Sequence, residues 1–507
     1  MNNYKVRPLP ARMLVVAACL LVWTGDSRAL TDEEIFLEFP FSFINAGTRS
    51  LAMGGAFVAV ADDVSAVNAN PAGLVALDGL SFYGEFGTLD VDTQVSTAAS
   101  GSLDVDPVTG ERDLPYFGLT SVKNAETYEG ATLVGLAWPL SLGSVDRRLT
   151  LVGARQVIVS QESSLSAGSD VTAASFSFEG FPNTVNGNTV EAYSVDTTVS
   201  GGSDTEIVYW SVGAALEVHQ DFSFGYTLTY ATLDIEADTV TEIIDPLELF
   251  VDPSHPRLPA QSTTDVYRTI IDGSDEGLAF SIGVHWHPDS VFADGPSPWR
   301  LGAVFRKGAE FGVSESTFLN GQPDETFINR IIVPDSYGLG LSYRAGERWL
   351  FVGELERVEL SDMLDGFRSG VNYLTSGRVA DGAYGIDPDA TITYDVDDDW
   401  VPRIGGEYRI PSRHGPDQGA ALRAGYYQSP DNRIRMTQFN SDDPEINEIY
   451  LEAFGGGEEE NHVTAGFGYT WAGSTFQIAG DFGDESTQVL VSYTYSLSKK
   501  RSASRQP

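Results

Sequence analysis

From residue 80 to residue 497 the chain keeps returning to one pattern, in which apolar residues alternate with small or hydroxylated ones. Leu278, Phe280, Ile282, Val284 and Trp286 share one phase, with Ala279, Ser281, Gly283 and His285 on the other. Phe222, Phe224, Tyr226, Leu228 and Tyr230 repeat it against Ser223, Gly225, Thr227 and Thr229. Val463, Ala465, Phe467, Tyr469 and Trp471 do so again, and so do Val489, Val491, Tyr493, Tyr495 and Leu497. A period of two belongs to a β-strand, whose successive side chains leave on opposite faces. Each run is close to the roughly 9 to 11 residues that a tilted strand needs to cross a bilayer.

The same reading predicts fourteen strands, at 80–89, 131–141, 148–160, 206–219, 221–233, 277–287, 298–307, 336–345, 348–357, 402–410, 419–427, 462–471, 474–482 and 487–497. Long connections follow strands 1, 3, 5, 7, 9 and 11 and short turns follow strands 2, 4, 6, 8, 10 and 12, as in an outer-membrane barrel with long external loops and short periplasmic turns. Trp138, Trp286 and Trp471 close strands that run toward the short turns, and Trp299 and Trp349 open strands that leave them. Five indoles at one end form half of an aromatic girdle, since the ring is apolar and its N–H favours the headgroup level. The fold class expected is therefore all-β, a fourteen-stranded antiparallel transmembrane β-barrel. The competing architecture is a secreted sandwich, whose strands alternate too. Against it, the second face is Gly, Ser, Thr and Ala more than Lys and Glu.

Composition removes other classes. With 31 Lys+Arg against 72 Asp+Glu and a net charge of -41, the chain offers no basic face to a nucleic-acid backbone. A single cysteine, Cys19, excludes a disulfide scaffold. Lys5, Arg7 and Arg12, the apolar run Met13 to Trp23 and Ser27-Arg28-Ala29 read as a secretory signal peptide over residues 1–29. Val16-Ala17-Ala18-Cys19 is similar to a lipoprotein box, but the apolar run continues past the cysteine. No other stretch approaches the 18 or so apolar residues of a membrane helix, so a membrane role must use strands.

Residues 30–79 are unlike the rest. Asn45 to Phe57 contains the pair Gly54-Gly55, and Asn68-Ala69-Asn70-Pro71-Ala72-Gly73-Leu74 contains a proline that disfavours helix at Asn70. A compact irregular segment ahead of a barrel has a natural place inside it, as a hatch in the lumen. Here the sequence resembles the FadL/TodX family of outer-membrane transporters for long-chain fatty acids and hydrocarbons, and the related PorV-like proteins. The run Gly54 to Leu74 carries the likeness, with Asn70, Pro71 and Ala72 matching the family's hatch motif. The resemblance implies an N-terminal hatch (30–79), a barrel (80–497), and passive uptake of hydrophobic small molecules across the bacterial outer membrane. It also implies contact with outer-membrane lipid, lipopolysaccharide and the barrel assembly machinery. The chain departs from the barrel pattern at its end, where 498–507 adds a basic tail instead of stopping on an aromatic residue.

In the family a kink in the third strand opens the wall sideways. The predicted third strand puts Arg155 on the lipid-facing phase, where a charge at mid-membrane costs roughly 2 to 4 kcal/mol. A bulge near Gly153 that redirects it would avoid that cost, so Gly153, Ala154, Arg155 and Gln156 are the lateral-gate candidates. A register error in the strand and a loop-proximal arginine remain alternatives. Inward-facing charges recur on later strands: Arg300, Arg306, Arg344, Arg403, Arg409 and Arg423, with Glu354, Glu356 and Glu407. Ion pairing against a lumen segment explains them first, and a bidentate contact to a cargo carboxylate second.

The acidic runs Asp395 to Asp399 and Glu458 to Glu460 fit no EF-hand spacing, and the histidines have no metal spacing. No cofactor or metal is expected. With no hydrolase signature and no phosphate loop, an enzyme is not expected either. The alternative to a channel is a PorV-like outer-membrane component of a protein secretion system.

Overall fold

The structure, a computed structural model, describes residues 47–100, 117–142, 147–168, 184–185, 188–189, 196–246, 262–291, 297–365, 391–412, 418–440, 451, 459–484 and 486–498. The signal peptide, the first part of the hatch and the basic tail beyond Ser498, as read from the sequence, lie outside these residues; Ser498 itself ends the last strand.

Fourteen strands form a closed antiparallel ring. In chain order they are β1 (Gly79–Ser100), β2 (Phe117–Leu142), β3 (Arg147–Gly168), β4 (Asp196–His219), β5 (Phe222–Pro246), β6 (Ser262–Trp286) and β7 (Trp299–Lys307). There follow β8 (Ser336–Ala345), β9 (Trp349–Val358), β10 (Asp399–Pro411), β11 (Gly419–Ser429), β12 (Glu460–Trp471), β13 (Ser474–Phe482) and β14 (Ser486–Ser498). Each pairs with the next, and β14 closes on β1 from Gly79↔Ser498 to Val91↔Ser486. Every strand expected from the alternation overlaps one of these.

The alternation sorts the two faces. Phe224, Tyr226, Leu228 and Tyr230 of β5 are exposed on the outside, while Ser223, Thr227 and Thr229 are buried inside. Leu339, Leu341, Phe351, Leu355, Ile404, Leu422 and Val463 continue the apolar outer band around the ring. At the short-turn end Trp299 packs on Tyr343 at 4.3 Å and Trp349 on Tyr408 at 4.5 Å, and Trp138 and Trp286 are exposed nearby. Trp210, Tyr337 and Trp400 are exposed toward the other end. An apolar band between two aromatic girdles is the outside of a membrane barrel.

Several strands far exceed the bilayer. β5 has 25 residues, or about 80 Å of extended chain, and its pattern changes phase at Tyr230. Beyond it Asp234, Glu236 and Asp238 are exposed outside, while Ala231, Leu233, Ile235 and Ala237 are buried inside. The outward face has left lipid for water, and the lumen has turned apolar. A further hairpin, Glu310–Leu319 and Gln322–Ile332, continues β7 and β8 outward and pairs with β6 from Glu315↔Ile271 to Leu319↔Tyr267. Its two-residue turn, Asn320-Gly321, has positive φ at both positions (52° and 76°), the type I′ geometry that matches strand twist. The chain pinches at the hairpin's base. A Cβ on Gly308 would lie 1.7 Å from the Val333 carbonyl oxygen, so only glycine fits there.

Candidate functional site

Three features occupy the lumen and its wall: a segment packed at the short-turn end, an apolar cluster toward the long-loop end, and a split between β2 and β3.

The packed segment runs from Gly47 to Asp78 and contains α1 (Thr48–Leu51), α2 (Ala66–Ala69) and a 3₁₀ turn at Pro71–Ala76. Leu51, Met53, Phe57, Val64, Val67 and Leu74 are fully buried. The inner wall admits its backbone through glycines. A Cβ on Gly225 would meet the Ala72 nitrogen at 2.3 Å, on Gly283 the Asn70 Oδ1 at 2.0 Å, on Gly302 the Val58 oxygen at 2.2 Å, and on Gly405 the Met53 oxygen at 2.3 Å. Carboxylates in the wall take the segment's free amides. Glu354 Oε2 accepts from the Phe57 and Val58 N–H groups, both at 2.8 Å, and Glu85 accepts from the Thr48 hydroxyl at 2.7 Å.

Asn70, Pro71 and Ala72 sit against β5 and β6. The Asn70 amide donates to the carbonyls of Val58 (2.8 Å) and Val284 (3.1 Å), and its Oδ1 accepts from the Ala72 N–H at 3.2 Å. Ser223 on β5 donates to the Ala72 carbonyl at 2.9 Å. The asparagine thus satisfies groups of the segment and of the wall together, a role that neither aspartate nor leucine could fill.

The arginines divide into two groups. Arg403 lies 2.9 Å from Glu354 and 2.5 Å from Glu356, and Arg306 pairs with Glu356 while donating to the Asn68 and Ala69 carbonyls at 2.9 and 2.7 Å. Glu407 is shared by Arg49 of the segment (3.0 Å), Arg409 (2.6 Å) and Arg423 (2.8 Å). Four of the six inward arginines read from the sequence thus stand beside glutamates. Arg300 and Arg344 are different: among the described residues neither side chain has a carboxylate within ion-pair distance.

Toward the long loops the lumen wall is hydrocarbon. Val159, Ile207, Leu233, Ile235 and Ile271 from β3 to β6 pack with Phe311, Val313 and Ile331 of the outer hairpin and with Leu360 and Met363. Tyr209 borders this cluster, its ring partly buried against it.

The split lies in the third strand's neighbourhood. β2 and β3 pair from Leu142↔Arg147 only as far as Leu133↔Gln156. Beyond that rung β2 stays with β1 as far as Phe117↔Ser100, and β3 stays with β4 as far as Gly168↔Thr198, so the two strands part while each remains in the sheet. The expected bulge near Gly153 is not there: Gly153, Ala154, Arg155 and Gln156 are in regular register with both neighbours. The irregularity falls between Val157 and Val159, where Ile158 is the extra residue. The displacement has a physical reason. Arg155 does face outward, but it stands at the notch, where a carbonyl has lost its ladder partner. It donates to the Ala131 carbonyl at 3.4 Å and to Glu206 at 3.3 Å, with its guanidinium 5.8 Å from the centre of the Trp210 ring. Its charge is satisfied in place, so the chain has no need to turn it inward. Gln156 faces inward and accepts from the Asn68 amide at 2.5 Å, and Asn68 accepts from Ser211 at 3.3 Å. Sequence reasoning missed Asn68. Its position two residues before Asn70 was visible, but nothing local tied it to the third strand.

At the outer rim Asp335, Glu359 and Asp362 come together, with Lys307 ion-paired to Asp335 at 3.1 Å.

No protein-family model matches the sequence, and no curated protein does. Solved structures do match the fold. A FadL homologue of Pseudomonas aeruginosa superposes with a TM-score of 0.51 at 13% identity, covering 90% of this chain and 99% of its own. The toluene transporter TodX of P. putida gives 0.48 at 15% identity, covering 90% of this chain and 100% of its own. The Ralstonia pickettii toluene transporter TbuX gives 0.47 at 13%, with 89% and 98% covered. The first of these likenesses, spanning nearly both chains, identifies the architecture: this chain has the FadL-type barrel fold.

Proposed function

We propose that the protein is an outer-membrane channel for passive uptake of hydrophobic compounds, long-chain fatty acids or hydrocarbons among them, and that it works without chemistry on its cargo. Cargo leaves the aqueous side into the apolar outer lumen lined by Leu233, Ile235, Ile271 and Phe311. The segment Gly47–Asp78 acts as a hatch that blocks the straight path to the periplasm. The way out is sideways, between β2 and β3, with Arg155 and Gln156 at the lip and Asn68 of the hatch joined to it. The observation that carries this reading is the ladder that ends at Leu133↔Gln156 while both strands go on. An apolar solute follows such a path down its own gradient, because lumen and lipid are both cheaper than water at roughly 25 cal/mol per Å² of apolar surface.

A bridge across the split tests it. Cysteines at Ala131 and Ile158, joined by a short bis-maleimide, should reduce uptake of a labelled long-chain fatty acid and of an aromatic hydrocarbon at least tenfold in cells lacking other such channels. The same bridge between Leu136 and Gly153, which already face each other in the ladder, should leave uptake unchanged. Full uptake through the bridged split would overturn the lateral route.

A further inference from the structure

The outer wall of the ring is hollowed in one sector. Across β6 to β10 a groove of about 690 Å³ opens on the lipid-facing side, rimmed by Trp286, Leu301, Leu339, Leu341, Leu355 and Ile404, all of them exposed. The hollow arises because outward positions between these large residues are small. Ala303 stands between Val284 and Leu339, and Gly353 between Leu341 and Ile404. A Cβ on Gly353 would have no heavy atom nearer than 4.0 Å, so packing does not demand glycine there. The volume lies within the roughly 300 to 1,000 Å³ of pockets that hold small molecules. The ladders of this sector are continuous, and it is far around the ring from the β2–β3 split, so the groove is no part of a route out of the lumen. Its floor backs the seat of the packed segment, since Gly302 and Gly340 admit Val58 and Ala59 from the other side.

Toward the short turns the groove leads to the aromatic girdle. Trp349, packed on Tyr408 at 4.5 Å, precedes Gly353 on β9 by about 13 Å of extended strand. Just beyond it the β8–β9 turn carries Glu347 and Arg348, both exposed. Arg348 Nη1 donates to the Tyr408 hydroxyl at 3.4 Å, which places the guanidinium on the lipid side of the turn, at headgroup level. Among the described residues neither Glu347 nor Arg348 belongs to an ion pair. An apolar hollow thus ends at one free cation and one free anion. A second barrel would not fill the hollow, because its own wall is convex and would rest on the rim. A flexible acyl chain does fill it. A guanidinium fork suits a phosphate, and a carboxylate suits a primary ammonium with its three donors.

We propose that this face holds one phospholipid of the periplasmic leaflet with an ethanolamine head: an acyl chain in the groove, the phosphate on Arg348 and the ammonium at Glu347. The site goes beyond the channel reading and takes from it only the placement of the barrel in a membrane.

The test measures lipid retention by mass spectrometry of the intact full-length barrel in a non-ionic detergent. The probes are phosphatidylethanolamine, phosphatidylcholine and phosphatidylglycerol with identical chains. The ethanolamine lipid should be retained at least fivefold more tightly than either of the others, since a choline head has no N–H for Glu347 and a glycerol head has no cation. Glu347→Gln should erase that preference, and Arg348→Gln should weaken all three lipids. Gly353→Leu, which fills the groove, should cut retention of all three at least fivefold, and Ala303→Leu should do the same from the neighbouring strand. Cargo uptake should be unchanged in these variants, showing that the barrel is intact where the lipid is lost. Equal retention of the three heads by the wild type, or a preference for the glycerol head, would overturn the head assignment and with it the proposal. Wild-type retention in both leucine variants would overturn the groove. A wild-type dimer that Gly353→Leu dissociates would give the groove to a second copy and overturn the lipid. None of these failures touches the channel reading, which uptake alone decides.

Discussion

Glu354 shows how much one side chain can hold. Its carboxylate takes two backbone amides of the packed segment at 2.8 Å and the Arg403 guanidinium at 2.9 Å, and both side chains are buried. Glu354→Ala would orphan both amides and leave Arg403 to Glu356 alone, and breaking a buried pair from one side typically costs about 3–5 kcal/mol. The variant is expected to unfold at markedly lower temperature in detergent, and an unchanged melting point would show that the anchor lies elsewhere. A second carboxylate works outside the membrane. In the turn before β5, Asp221 accepts from the Ser290 N–H at 2.8 Å and from the Ser290 hydroxyl, which holds its acid range below normal. With the folded value depressed, the tether is complete above the unfolded carboxyl value of roughly 3.9 and is lost as pH falls through the folded one. Amide exchange at Ser290 should accelerate in acid below that value, and Asp221→Asn should make it insensitive to pH there. At this scale the sequence was least informative. Arg155 stood out because a charge on a lipid phase is costly, whereas Glu354 was one inward charge among several. Its partners are main-chain amides some 297 positions away, which leave no local mark.

The strands were legible because a period of two, a bilayer-length run and an alternation of long and short connections all point to one architecture. The outer hairpin was missed although Asn320-Gly321 is a strong turn signal. Its strands carry acids and hydroxyls such as Glu310, Ser314 and Glu315, and so lack the greasy outer phase that marked the others. The outward extensions of β3 to β6 were missed for a related reason. At Tyr230 the apolar residues change sides, and a search for one uninterrupted phase stops there. The belt of inward glycines was visible as a small-residue stripe, and its function became clear only with the segment lying against it. Gly405→Val would drive a side chain into the Met53 carbonyl, 2.3 Å from where its Cβ would sit, whereas the nearest atom to a Cβ on Gly153 is 4.0 Å away. The valine variant is therefore expected to raise ion conductance in planar bilayers and to expose the packed segment to protease, while Gly153→Ala should do neither. A Gly405→Val barrel with wild-type conductance would mean that the segment is not seated on the wall.

For the molecule as a whole, the design separates three environments in one cylinder: lipid outside, polar main-chain contacts at the short-turn end, and a hydrocarbon lumen toward the long loops. The separation was inferable from the sequence only in part, because lumen polarity changes along the barrel axis while the sequence is written along the strands. The seam between β14 and β1 has one more consequence. It joins Gly79 to Ser498 and Val91 to Ser486, contacts that span most of the polypeptide, and such remote pairings form slowly. The segment that ends up walled in is translated ahead of every strand that surrounds it. It must therefore be gathered up while the sheet is still an open, curling ribbon, and held there until the last strand arrives to zip the edges, so that a ribbon sealed too early would be empty and leaky.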